Sequence, residues 1–327
     1  MQEIILDARD VKKYYYPRGF LGSRGTVYAV DGVNLQIRRM TTVGLIGESG
    51  SGKTTFGKTI INLIPATGGE ILFDEMDVLN PATEREKHDI RRKMQIVFQD
   101  PFGSLNPWMT IGDALNRPIV IHSLIPKHER MDRVCELLEL VGLDATYVTK
   151  YPHEFSGGQR QRVAIARALA SDPEFIVLDE ATSALDVSVQ GKILNLLMEL
   201  QRKLGLTYLF ISHNMSVITN VSDAIAVMYL GKIVEMISQE CLNETKHPYT
   251  RALLSAVPRA NPGKRTKRII LAGTVPSPAN PPPACKFHTR CQYALDRCKN
   301  EEPDLLRIHD DHFVACHRWR ELEFPVQ

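Results

Sequence analysis

Between the apolar run Val43-Gly44-Leu45-Ile46 and the stretch Thr55-Phe56-Gly57-Lys58-Thr59-Ile60-Ile61 lies Gly47-Glu48-Ser49-Gly50-Ser51-Gly52-Lys53-Thr54. The first run reads as a buried parallel strand, the second as the opening turns of a helix. Strand, glycine-rich turn and helix in that order point to an α/β fold on a parallel sheet. The glycines let the backbone turn tightly and aim its N–H groups at one point, where the helix N-terminus adds partial positive charge. An anion held there meets Lys53, which can reach the β/γ-phosphates of a nucleoside triphosphate, and Thr54, whose hydroxyl can ligate Mg²⁺. Residues Gly47, Glu48, Ser49, Gly50, Ser51, Gly52, Lys53, Thr54 and Thr55 are the candidate nucleotide contacts. A chance Gly/Ser turn is the plainer alternative, and the flanking strand and helix argue against it.

A chain of 327 residues has room for one large domain or two to three smaller ones. A formal charge of +2 gives no global electrostatic reason to expect nucleic acid or an acidic surface as partner. No apolar run approaches the ~18–20 residues a membrane span needs. Met1-Gln2-Glu3-Ile4-Ile5-Leu6-Asp7 lacks the basic and apolar regions of a signal peptide. The expectation is a cytosolic chain whose six cysteines stay reduced unless a metal claims them. The local basic cluster Lys264-Arg265-Thr266-Lys267-Arg268 reads as a solvated linker, or more sharply as an anionic-lipid contact.

Alternation at Ile4, Leu6, Val27, Ala29, Val33, Leu35 and Ile37 predicts antiparallel strands, with a Gly/Pro/Arg-rich loop from Pro17 to Arg24 between them. Short strands are predicted at Ile71-Leu72-Phe73 and from Gln95 to Gln99. Helical periodicity runs from Ile111 to Val141, where Pro118 and Pro126 should break it into separate helices. Gly157-Gly158 opens another helix. A strand at Phe175–Leu178, a helix near 188–203, a strand at Thr207–Ile211 and a helix near 215–221 continue the βαβ alternation. Ile225–Leu230 and Lys232–Glu235 predict a hairpin turning at Gly231. Beyond about residue 245, prolines rule out long regular elements, and this appendage holds most of the cysteine.

The strand Phe175–Leu178 runs into Asp179-Glu180, and a buried strand that stops on carboxylates needs a partner for that charge. Asp179 suits an indirect hold on Mg²⁺, and Glu180 suits a general base that polarises the attacking water. A simple cap at a strand–helix turn is the alternative. Ser156-Gly157-Gly158-Gln159 starts a helix with a hydroxyl, free N–H groups and the helix dipole, which makes a second anion site or an ordinary cap. Two phosphate-reading helix ends but one nucleotide loop suggest that the second reads a nucleotide held by another subunit.

Ser156-Gly157-Gly158-Gln159 resembles the signature sequence of ATP-binding cassette (ABC) ATPases, and the family's other motifs follow in order. Gln99 resembles the Q-loop glutamine, Ser183-Ala184-Leu185-Asp186 the D-loop, and His213 the switch histidine. Tyr15 is similar in position to the aromatic residue that stacks on adenine, with Tyr14 and Tyr16 leaving the register open. The resemblance covers residues 3 to about 240 and implies a RecA-like core with an antiparallel β subdomain at 1–99 and 155–244, and a helical subdomain at 100–154. It implies Mg²⁺ at Thr54, Gln99 and Asp179, and catalysis by Lys53, Gln99, Glu180 and His213. Two cassettes would close head-to-tail around two ATP molecules, each pocket completed by the partner's Ser156 turn and by Asp186. About 125 residues between the phosphate loop and Asp179 leave no room for a coiled-coil arm.

Pro101-Phe102-Gly103-Ser104-Leu105-Asn106-Pro107 and His247-Pro248-Tyr249-Thr250-Arg251-Ala252-Leu253-Leu254 resemble the oligopeptide/dipeptide (and nickel) importer subfamily, as does the Pro/Cys-rich extension 245–327. That resemblance implies a second, paralogous ATPase, two transmembrane permeases and an extracytoplasmic solute-binding protein at the cytoplasmic face of the membrane, with no nucleic acid. A soluble ABC ATPase in a nucleic-acid or multi-enzyme complex is the rival reading.

Cys285, Cys291, Cys298 and Cys316 fall in a C-x₅-C-x₆-C-x₁₇-C pattern. Converging cytosolic thiolates hold a metal more often than not. The spacing lacks the short C-x₂₋₄-C of structural zinc, and four thiolates with looser spacing suit an iron–sulfur cluster. The subfamily resemblance implies a [4Fe–4S] cluster, with Zn²⁺ second and unmetallated thiols or disulfides third. His288, His309, His312 and His317 could replace a ligand but read first as solvent-facing or as neighbours of the ligands, and Cys135 reads as core.

Overall fold

A computed structural model describes residues 3–16, 18–19, 22–23, 25–257, 268–322 and 324. Residues 17, 20, 21 and 24 of the predicted loop at 17–24, and the basic cluster apart from Arg268, lie outside the described residues. The chain divides into two compact units: Met1–Ile5, Arg38–Thr41 and Phe73–Ile211 form one, while Leu6–Ile37, Thr42–Leu72 and Ser212–Gln327 form the other.

In the first unit the strands Met94–Val97, Phe175–Asp179 and Thr207–Ser212 run parallel, with Val97 opposite Leu178 and Ile211 opposite Asp179. Phe175, Ile176, Val177 and Leu178 are buried, as a continuous apolar run covered on both faces should be. The helix Gly157–Leu169 packs against Ile111–Ile121 and Arg130–Leu140, and Ile165, Leu115, Leu137 and Leu138 on these helices are buried. Val187–Leu204 starts on the Asp186 side chain and stops at Gly205, whose φ of 66° is the left-handed conformation glycine adopts without strain.

One expectation fails here. Pro118 does not separate two helices but sits inside Ile111–Ile121. Its missing N–H removes only one ladder bond, and the helix ends within a turn, where the His122 N–H still reaches the Pro118 carbonyl at 3.0 Å.

In the second unit the buried strand Thr42–Ile46 pairs in parallel with Ala224–Tyr229, placing Ile46 opposite Val227. The chain turns at Gly231, with φ 83°, into the antiparallel strand Lys232–Ser238, as the sequence predicts. Ile4–Tyr15 lies between Val27–Arg38 and Gly68–Phe73.

The C-terminal extension forms only short elements, among them Pro248–Ser255, Asp296–Asn300, Leu306–His309 and His312–Val314. It is nevertheless built into the sheet, since His312–Val314 pairs antiparallel with the hairpin strand and sets Val314 opposite Glu235. Beside that junction Phe287 lies 5.2 Å from the ring of Tyr229, 5.4 Å from Tyr249 and 5.5 Å from His247.

Candidate functional site

The strand Thr42–Ile46 delivers the chain to Gly47, and the helix Lys53–Ile60 begins six residues later. The tightness of this turn explains two of its glycines. A Cβ on Gly47 would lie 2.1 Å from the Met228 carbonyl oxygen, and one on Gly52 only 2.0 Å from that of Ala29. Gly52 also has φ 105°, which a side chain tolerates poorly. The Lys53 ammonium is buried over this arch and donates to the Gly47 carbonyl at 2.8 Å and the Glu48 carbonyl at 3.0 Å. Thr54 and Thr55 follow half-buried in the first helical turn. Backbone N–H groups at a helix start, with a buried cation over the loop, make a receptor for a polyphosphate.

In the same unit Tyr14 and Tyr15 face different surroundings. The Tyr14 hydroxyl donates to Asp31 at 2.6 Å; burial, then the neighbouring Asp31, hold its phenol above the ordinary range. Tyr15 is 39% exposed, with the Lys13 ammonium 5.0 Å from its ring centre. His213 is exposed just past Thr207–Ser212, ahead of the Asn214 side chain that caps Met215–Val221.

In the first unit Asp179 ends its strand buried, and Glu180 turns out of it with φ 48°. The Glu180 N–H donates to the Ile211 carbonyl at 3.0 Å, and its own carbonyl accepts from the Ser183 N–H and hydroxyl, each at 3.0 Å. Because Val97 pairs with Leu178, the exposed Gln99 leaves the adjacent strand at the same end as Asp179 and Glu180. Polar groups gathered at the carboxyl ends of parallel strands are where α/β folds place their chemistry.

Ser156 caps Gly157–Leu169 in a reciprocal box: its hydroxyl accepts from the Gln159 N–H at 3.4 Å, and its N–H donates to the Gln159 side chain at 3.0 Å. Gly158 is needed for close approach, since a Cβ there would lie 2.6 Å from Val189 Cγ1. Asp186 accepts from the Val189 N–H at 3.0 Å and the Ser188 hydroxyl at 2.8 Å, which hold its carboxyl below the usual range. Ser156 and Asp186 thus each have a capping duty that requires no ligand.

Cys285, Cys291, Cys298 and Cys316 all line one cavity of about 20 Å³, together with His247, His288 and His317. Burial pushes the thiols up, to about 11 at Cys285 and about 12 at Cys316. Among the described residues, however, no group of three or more His, Cys, Asp or Glu side chains stands ready to hold a metal ion. His309 is exposed. His312 is neither solvent-facing nor on the cysteine cavity; it is buried and bonded to Glu235 at 2.8 Å.

Sequence reasoning missed Tyr249 and Arg290, which tie the extension to the loop at Glu48, and Lys286, which ties it to Asp31 on the strand Val27–Arg38. The available signal was Glu48, a carboxylate inside an anion-binding turn, which calls for a nearby cation.

Together the parallel strands, the phosphate loop and the ordered motifs define a nucleotide-binding cassette, and the chain belongs to the ABC transporter family. Residues 30–183 match the family model described as ABC transporter, and 235–298 the one described as Oligopeptide/dipeptide transporter, C-terminal region. Over 321 residues it is 49% identical to the oligopeptide transport ATP-binding protein AppF of Bacillus subtilis (strain 168), covering 97% of this chain and 98% of the relative. The dipeptide transport ATP-binding protein DppF of Escherichia coli (strain K12) is 44% identical over 97% of this chain and 95% of its own. Among solved structures, the dimeric post-hydrolysis state of the ATP-binding cassette MJ0796, bound to ADP and Pi, is 31% identical with a TM-score of 0.63, covering 72% of this chain and 98% of that one. No helix among the described residues is long and apolar enough to cross a membrane.

Proposed function

We propose that this chain is the ATP-hydrolysing subunit of an importer for di- or oligopeptides. The observation that carries this reading is the end-to-end similarity to transport ATP-binding proteins, 49% identity over 97% of the chain, with the extension included. The phosphate loop Gly47–Thr55 binds the triphosphate, Lys53 neutralises its β/γ oxygens and Tyr15 stacks on adenine. Thr54, Gln99 and Asp179 are the residues that would hold Mg²⁺, which would offset charge on the transferred phosphoryl group. Glu180 takes a proton from the attacking water and His213 contacts the γ-phosphate. In the pocket of a second cassette, a paralogue, the Ser156-Gly157-Gly158-Gln159 turn and Asp186 complete the site.

The helical segment 100–154, reached through Gln99, receives two membrane permeases, so that the subunit sits peripherally on the cytoplasmic face. An external solute-binding protein acts through those permeases. Exposed Trp108, Val120 and Ile121 give that segment an apolar surface. Domain limits of 1–99 with 155–244, 100–154 and 245–327 belong to this reading. Other solutes of the subfamily, oligosaccharide or nickel, remain within it.

Glu180→Gln tests the mechanism. ATP binding should persist while turnover falls by about 10²–10⁴-fold; unchanged turnover would remove Glu180 as base. Detergent extraction should co-purify hydrophobic permeases, and nucleic acid in their place would favour the rival complex.

The same reading places a metal centre on Cys285, Cys291, Cys298 and Cys316. Four sulfurs on one cavity wall, with no carboxylate beside them, suit a thiolate-ligated centre, the [4Fe–4S] cluster first. A cavity of about 20 Å³ holds about one water-sized body, so the cluster requires the four cysteines to move apart, while Zn²⁺, the second reading, does not. Anaerobically purified protein should carry iron and absorb broadly in the visible; stoichiometric zinc without iron would reverse the order.

A further inference from the structure

We propose that the C-terminal extension is part of the nucleotide site, and that Arg290 is a positioning residue for ATP binding acting through Glu48. The inference rests on reading Gly47–Thr55 as the phosphate loop.

Glu48 is the only carboxylate in that loop. A loop that gathers polyphosphate should not carry uncompensated negative charge, since like charges a few ångströms apart repel strongly where water is scarce. Arg290 supplies the compensation. Its guanidinium grips the carboxylate as a fork, with Nη1 donating to Oε2 at 2.6 Å and Nη2 to Oε1 at 3.2 Å. The arginine side chain is only 7% exposed, and its Nε donates to the Ala272 carbonyl at 3.3 Å. The ring of Tyr229 lies 5.9 Å from the guanidinium carbon. The cation is therefore fixed by its surroundings and not drawn from a mobile surface side chain.

A second contact holds the same loop residue by its main chain. The Glu48 N–H donates to the Tyr249 hydroxyl at 2.9 Å, and Tyr249 is wholly buried in the aromatic cluster with Tyr229 and Phe287. This N–H faces the extension and leaves the phosphates to the donors that follow it. Four residues before Arg290, the Lys286 ammonium donates to Asp31 at 2.7 Å and to the Leu230 carbonyl at 2.9 Å. Asp31 accepts the Tyr14 hydroxyl, next to the adenine candidate Tyr15. One segment of the extension, from Lys286 to Arg290, thus fastens both the phosphate loop and the tyrosine strand.

The consequence is electrostatic and specific. Without Arg290, Glu48 faces the triphosphate uncompensated, so affinity for ATP falls while the chemical step, carried by other residues, is spared. In the full-length protein, steady-state ATPase and titration with a fluorescent ATP analogue should show Arg290→Gln raising KM and Kd about tenfold, with kcat within about twofold. Arg290→Lys should recover part of the affinity. In the double variant Arg290→Gln with Glu48→Gln, which also removes the carboxylate, affinity should return to within about threefold of the parent.

Unchanged KM in Arg290→Gln, or a double variant as weak as the single, overturns the proposal. Lys53→Ala separates this from the underlying reading. If Lys53→Ala abolishes analogue binding and Arg290→Gln does not weaken it, the phosphate loop stands and the positioning role falls. If Lys53→Ala leaves binding intact, the loop assignment itself falls.

Discussion

Replacing Glu235 with alanine should detach the extension from the core sheet. The Glu235 side chain is 0% exposed and that of His312 is 3% exposed. Its carboxylate accepts the Lys246 N–H at 2.6 Å, the His247 N–H at 3.1 Å and His312 Nε2 at 2.8 Å. With a carboxylate oxygen as the acceptor, Nε2 is assigned as the ring nitrogen that donates in that contact. Alanine orphans two main-chain donors and one ring donor, each costing about 1–3 kcal/mol if left buried and unpaired. Relief from burying a charge offsets part of this, so a net loss of about 3–5 kcal/mol is expected, in the range for breaking a buried pair. Glu235→Gln keeps one acceptor but turns an NH₂ toward a donor, and about 2 kcal/mol should be lost. Half-buried Trp319, in the extension, reports the transition by fluorescence during urea titration. A chain this long need not unfold in one step, so the quantity to compare is the free energy of that transition. An alanine variant within about 1 kcal/mol of the parent would refute the junction.

Gly52→Ala should abolish binding of the ATP analogue, because its Cβ would meet the Ala29 carbonyl at 2.0 Å on a backbone at φ 105°; retained affinity would show that the arch can shift. Tyr15→Ala should weaken ATP about tenfold through lost base stacking, at roughly 1–3 kcal/mol per stacked base. Tyr14→Phe, which removes only the hydroxyl bonded to Asp31, should cost less, and the reverse order would move the adenine contact to Tyr14. His247 is held neutral by burial, its pKa lowered from 6.5 to about 4, and its Nδ1 accepts the Tyr249 N–H at 3.1 Å. Its contribution is therefore complete above pH 6.5 and fades as the pH falls toward 4, by up to about 3 kcal/mol. Urea midpoints at pH 7.5 and 5 should differ less in His247→Asn than in the parent, and an equal difference in both would reject the assignment.

The parallel strands and the phosphate loop were legible because their signals are local. Ile46 leads into a glycine turn that only tight backbone explains, and Leu178 leads into two acids that an apolar strand would not otherwise carry. The hairpin at Gly231 and the helix at Gly157 followed from residues whose φ or capping chemistry is fixed by type. Pro118 was misread because a proline's effect depends on how many turns follow it, and here less than one does. The alternation at Tyr14-Tyr15-Tyr16 could not choose a register, since three adjacent aromatics look alike until Asp31 claims one hydroxyl.

The extension was illegible for a different reason. Its cohesion lies in pairs far apart along the chain: Glu235 with His312, 77 positions on, and Glu48 with Arg290, 242 positions on. No window of sequence holds both members, and neither arginine nor histidine announces a partner. The prolines that forbid long helices there also push the segment toward irregular backbone, whose polar groups must find bonds elsewhere. Those bonds are what the structure supplies: Tyr28 donates to the Pro278 carbonyl at 3.1 Å, and Lys286 donates to the Leu230 carbonyl at 2.9 Å. A segment too irregular to satisfy itself is stable only when docked. The surface that satisfies it is the one carrying the nucleotide loop, so stability of the extension and shape of that loop are set by the same contacts.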